Sequence, residues 1–243
     1  MHIIKLNAID STNSYLRQLS ASQTLEDYTV VVASHQSEGR GQMGTQWQSQ
    51  EGKNLTVSVF KDVSFVELEH HFFISIVTSL SIFDALQSLN INKLKVKWPN
   101  DILSEDKKIA GILIENVIKQ NKLQASIIGF GLNINQTSFE NLPQATSIYN
   151  ITGRLFNHDE ILHLILKNLE HYFALLEQKK YDDLINSYEN HLFRKNKPST
   201  FKNIEGLKFS GYIKGITQSG QLIIQLEDYI LKEFDFKEVT LLY

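Results

Sequence analysis
Residues 97–115 read Lys97-Trp98-Pro99-Asn100-Asp101-Ile102-Leu103-Ser104-Glu105-Asp106-Lys107-Lys108-Ile109-Ala110-Gly111-Ile112-Leu113-Ile114-Glu115. The approach from Lys95 to Trp98 has strand character and is stopped by Pro99, which has no N–H for a sheet ladder. Asn100 and Asp101 follow as a polar corner, and strand ends are where polar groups reach a cleft. Lys107 and Lys108 stand just before a strand of small and apolar residues, Ile109 to Val117. Ala110 and Gly111 remove bulk from it, as a pocket wall requires. A second run, Leu123 to Ile134, comes after the polar segment Lys119-Gln120-Asn121-Lys122, so the two read as a hairpin.

Working outward, Ile3, Ile4 and Leu6 suggest a first strand, and the oxygens of Asp10 to Asn13 can cap a short helix bearing Leu16 and Leu19. Tyr28 to Ala33 and Asn54 to Phe60 read as strands. Apolar residues from Leu68 to Leu86 recur at helical spacing and predict a long amphipathic helix. Asp159 is expected to cap a second long helix, and a third carries Tyr181, Leu184 and Tyr188. After Phe193 the pattern changes to short strand-like runs with turn signals. The expected organisation is α+β: a mixed sheet with helices over residues 1–193, then a small β-barrel over 194–243.

The bulk numbers narrow the function. The 243 residues carry 24 Lys and Arg against 27 Asp and Glu, a net charge of -3, with no cysteine. A balanced chain is a poor match for charge-driven nucleic-acid or membrane binding. Without cysteine there is no disulfide, thiolate or Cys-based zinc chemistry. No apolar run reaches the roughly 18 residues of a membrane helix, and no export signal precedes Ser11, which points to the cytoplasm. The eight histidines form no metal-binding sequence motif.

Chemistry concentrates in five segments. Ser11-Thr12-Asn13 groups hydroxyls and an amide beside a helix start. Gly39-Arg40-Gly41-Gln42-Met43-Gly44-Thr45-Gln46-Trp47 combines backbone freedom, a cation for phosphate or carboxylate, and a ring able to stack on a base. Its spacing is neither a Walker A loop nor a dinucleotide fingerprint. Lys97 to Asp101 and Lys108 to Glu115 are the third and fourth. Gly129-Phe130-Gly131-Leu132-Asn133 is the fifth, with two glycines for close approach and an amide able to read a base edge.

In this order, the five segments resemble the biotin protein ligase family, and the resemblance runs over nearly the whole chain, including the small C-terminal β domain. It implies a biotin/lipoate ligase-like catalytic domain followed by an SH3-like barrel. It also implies activation of biotin by MgATP to biotinyl-5′-AMP, then transfer to a lysine of a biotin carboxyl carrier domain. Ser11, Thr12 and Gln36 would bind the ureido end of biotin, with Asn13, Gly39, Gly41, Gly111 and Gly129 around it. Arg40 would hold the carboxylate and phosphate region, and Lys108 the biotin carboxylate and α-phosphate. Trp47 and Asn133 would meet adenine, with Asn100 and Gly131 beside the nucleotide. Asp101 would bind the metal or handle the incoming lysine.

Gln42 and Met43 stand where many members have arginine, so Gln42 is a contact by position and not by charge. The loop is expected to order when filled. Only ten residues precede Ser11, which leaves no room for the DNA-binding domain of members that also repress transcription. A homodimer is compatible with the family. Two rival readings are a lipoate or octanoate ligase, which needs an apolar tunnel, and a non-catalytic biotin- or carrier-binding module.

Overall fold
The computed structural model describes residues 1–140 and 142–243. Strand β1 (His2–Ile9) leads to helix α1 (Thr12–Ser22), β2 (Thr29–Gln36) and β3 (Leu55–Asp62). Helix α2 (Phe73–Ser88) precedes β4 (Leu94–Lys97), β5 (Asp101–Ser104), β6 (Lys107–Lys119) and β7 (Lys122–Leu132). Helices α3 (Ile148–Thr152), α4 (His158–Glu177) and α5 (Tyr181–Asn190) follow. The chain ends in β8 (Pro198–Asn203), β9 (Lys208–Ile216), β10 (Leu222–Gln225), β11 (Leu231–Phe234) and β12 (Val239–Leu242).

The first seven strands form one sheet in the order β1-β2-β3-β7-β6-β5-β4. Only β1 and β2 run parallel, so the sheet is mixed, as expected. Strand alternation serves two cores. Val30 and Ile128 point to the main core with α2 and α4, whereas Val31 and Ile127 point to a smaller one under Leu16 of α1. The β6–β7 hairpin turns on Gln120 and Asn121, whose φ values of 50° and 59° are the left-handed pair a two-residue turn demands.

Three local expectations are corrected. Leu68–His70 form a separate 3₁₀ turn, and α2 is buried on nearly every side rather than amphipathic, because sheet and helices enclose it. Asn157, not Asp159, caps α4, accepting from the N–H groups of Asp159 and Glu160; Asp159 sits in the first turn and takes Lys5 at 2.8 Å. The C-terminal strands form an antiparallel sheet in the order β11-β10-β9-β8-β12 whose edge strands do not pair, so the expected barrel is open. This second sheet docks on the first unit through Trp98, whose indole N–H donates to the Gly220 carbonyl at 2.9 Å. No helix among the described residues is long and apolar enough to cross a membrane.

Candidate active site
The register across the sheet creates an opening above one face. Asp101 pairs with Gly111, Gly111 with Gly131, and Gly131 with Thr56, so one row across β5, β6, β7 and β3 carries small side chains or none. The row beside it runs Leu113, Gly129, Ser58. Side chains in a row share a face, and α1 begins over these two rows. The resulting cavity has a volume of about 270 Å³.

Sixteen residues are expected at the site from the sequence, and fourteen of them line this cavity. Ser11, Thr12, Asn13, Gln36, Arg40, Gly41, Gln42, Trp47, Asn100, Asp101, Lys108, Gly111, Gly129 and Gly131 all do. Gly39 lines the adjoining cavity instead. Asn133 lies outside the lining; it is buried, its Nδ2 donates to the Thr146 carbonyl at 3.0 Å, and its Oδ1 has no partner among the described residues.

At one end the N-terminus of α1 presents polar groups. Ser11 caps the helix, and the Thr12 N–H donates to Gln36 Oε1 at 2.8 Å. Thr12 Oγ1 lies 3.0 Å from the same oxygen and 2.8 Å from Ser58 Oγ. Ser58 reaches Asn13 Oδ1 at 2.5 Å, and Asn13 Nδ2 donates to Glu115 Oε2 at 2.8 Å. Gly129 leaves the room that the Asn13 amide occupies. Asn13 therefore lines the cavity with both polar atoms already engaged by the protein.

At the other end two lysines gather on Asp101. Lys108 Nζ lies 2.6 Å from Asp101, and Lys97 approaches the same carboxylate at 3.7 Å. Arg40, by contrast, stands toward the α1 end, pairing with the Glu115 oxygen that also accepts from Asn13. Trp47 lies over Gly111 and Gly131, with Lys108 Nζ 5.6 Å from the ring centroid and the indole nitrogen buried without a partner among the described residues. Tyr243 reaches this end from the second sheet. Burial chiefly, then the Asp101 charge, pushes its phenol above the ordinary value.

Asp101 is the sole carboxylate among the lining residues and is flanked by two lysines. That surrounding does not suit a protein-built divalent-metal site, so the metal role expected of Asp101 finds no support in the geometry. Glu67, Glu69 and His70 do bring ligand atoms within 4.8 Å of one another, but none lines the cavity. Sequence reading missed Ser58 and the contacts of Glu115. Ser58 is one more inward residue of an alternating strand, and only its register opposite Gly129 marks it.

Residues 6–133, more than half of the chain, match the model of the biotin/lipoate A/B protein ligase family. The chain belongs to that family. The bifunctional ligase/repressor of Escherichia coli is 29% identical over 97% of this chain and 73% of its own length. The biotin–[acetyl-CoA-carboxylase] ligase of Paracoccus denitrificans is 27% identical, covering 89% of this chain and 91% of its own. The biotin protein ligase of Aquifex aeolicus, solved with biotin and ATP, superimposes with a TM-score of 0.84 at 28% identity, over 99% of this chain and 98% of that one. The family match agrees with a single cavity that gathers the polar groups around Thr12 together with Arg40 and Lys108.

Proposed function
We propose that this protein is a biotin protein ligase. It joins biotin to AMP at the expense of ATP, releasing pyrophosphate, and then passes the biotinyl group to a lysine of a biotin carboxyl carrier domain. The observation that carries this reading is that Arg40 and Lys108, from separate segments, border one cavity with the Thr12–Gln36 cluster. The relatives named biotin–[acetyl-CoA-carboxylase] ligase support it.

The chemistry requires a carboxylate oxygen to attack the α-phosphorus of ATP while the bond to pyrophosphate breaks. Two anions must meet, and fixed positive groups lower that barrier most where charge builds in the transition state. Lys108 is suited to the α-phosphate and Arg40 to the carboxylate side. Trp47, Asn100 and Gly131 border the part of the cavity we assign to the nucleotide. In the second half-reaction the lysine amine of the carrier attacks the acyl carbon, AMP departs, and the amine loses a proton. Asp101 is our candidate to accept or orient that proton, since the lysines beside it can exchange their pairing for the incoming amine. Mg²⁺ is assigned to the triphosphate and not to a site of the protein's own. The glycines at 39, 41 and 44 suit a loop that closes over the mixed anhydride and keeps water away. We assign the catalytic unit to residues 1–193 and a second unit to 194–243.

The hydroxyl and amide groups around Thr12 match a ureido ring, for which an unbranched acyl chain has no use. The test is to incubate the protein with MgATP, an apo carrier domain and either biotin or lipoate, and to weigh the carrier. A biotin-sized gain is expected. A lipoyl-sized gain, or none, overturns the reading.

A further inference from the structure
Glu115 is the meeting point of three elements. It stands on β6 with its side chain 19% exposed. One oxygen accepts from Asn13 Nδ2 and pairs with Arg40; the other lies 3.4 Å from Arg17 of α1. From Asn13 the contacts continue through Ser58 and Thr12 to Gln36. A continuous polar chain therefore links the Thr12–Gln36 cluster to the loop cation. A surface ion pair would have one partner and freedom to let go. Glu115 has three, two of them on α1, and Asn13 is itself buried.

We propose that Glu115 is a positioning residue that holds Arg40 in the wall of the cavity and couples its placement to α1. The pairing uses one guanidinium nitrogen of Arg40, which lines the cavity while its side chain is 42% exposed. A guanidinium has five N–H donors, so the rest stay available for an anion. Without Glu115 the side chain would sample solvent, and each encounter with the anion would carry the entropy of ordering it.

This inference rests on the ligase reading, and the experiment separates the two. Biotinyl-5′-AMP is formed on the full-length protein, and its release is followed by chase with unlabelled biotin and ATP. Loss of one charge-assisted contact predicts about tenfold faster release from Glu115→Ala. The Arg40→Ala and Arg40→Ala/Glu115→Ala proteins are expected to release it at the same rate, because Glu115 acts through Arg40. A general structural role would instead give additive losses, and that result overturns the proposal. So does wild-type retention in Glu115→Ala. Glu115→Gln, of nearly the same shape, is measured alongside and decides the matter should the alanine variant not fold: faster release supports the proposal, and an unchanged rate overturns it. Failure of the wild-type protein to form any adenylate overturns the ligase reading and this inference with it.

Discussion
Lys108 shows how a single side chain draws its meaning from its neighbours. It sits between a carboxylate at 2.6 Å and an indole face at 5.6 Å, one partner competing for its charge and the other tolerating it. Removal of a preorganised group that stabilises transition-state charge typically costs on the order of a hundredfold to a thousandfold in rate. Lys108→Ala is therefore expected to lose biotin-dependent pyrophosphate exchange by that factor while melting near the wild-type temperature. Exchange at the wild-type rate would remove Lys108 from the chemistry. A second residue sets an acid limit. His191 stacks on Phe83 with centroids 3.9 Å apart. Burial first, and the Lys95 charge second, lower its pKa below the ordinary 6.5, with Asp84 opposing. The folded state thus binds this proton less readily than the unfolded chain, so stability falls as pH drops below 6.5. His191→Phe is expected to flatten the slope of melting temperature against pH on that limb, and an unchanged slope would assign the limb to other groups.

Among elements, the sheet makes the site by omission. Gly131 accepts the Trp47 ring where a Cβ would stand, and Gly111, paired with it across β6 and β7, leaves room for the end of the Lys108 side chain. Gly129 does the same for the Asn13 amide. Gly129→Ala drives a methyl group into a buried hydrogen-bonded side chain, an overpacking that costs about 1–3 kcal/mol. Because Asn13 anchors the chain from Thr12 to Glu115, the variant is also expected to raise the KM for biotin. A denaturation midpoint and a biotin titration check both effects, and wild-type values in the two would mean that α1 shifts freely over the sheet.

For the molecule as a whole, the Lys97 to Asp101 segment joins the two sheets. Trp98 donates to Gly220, while Lys97 on one side of it lies by the Tyr243 ring and Asp101 on the other pairs with Lys108 in the cavity. Trp98→Phe keeps the ring but removes the N–H, leaving a carbonyl without its donor, at a cost of about 1 kcal/mol. The second sheet is expected to open first under denaturant. A shift confined to a signal from residues 198–242, with the seven-strand sheet melting as in the wild type, would verify it; one unchanged transition would contradict it.

Much of this was legible in the chain itself. The hairpin of β6 and β7 follows from two largely apolar runs and a polar turn between them, which are local properties. Arg40, Lys108 and the glycines stood out because the segments that carry them follow one another in a particular order along the chain. The buried α2, the asparagine cap of α4, the open second sheet and the place of Asn133 behind the cavity were not legible, since each depends on what packs alongside. Ser58 and Glu115 make the same point: serine on a strand and glutamate after an apolar run are unremarkable residues in order of sequence. Register, a long-range pairing that no window of sequence contains, brought one opposite Gly129 and the other within reach of Arg40 and Asn13. Sequence determined the inventory of groups and the local elements that bear them; tertiary packing decided which carboxylate holds which cation.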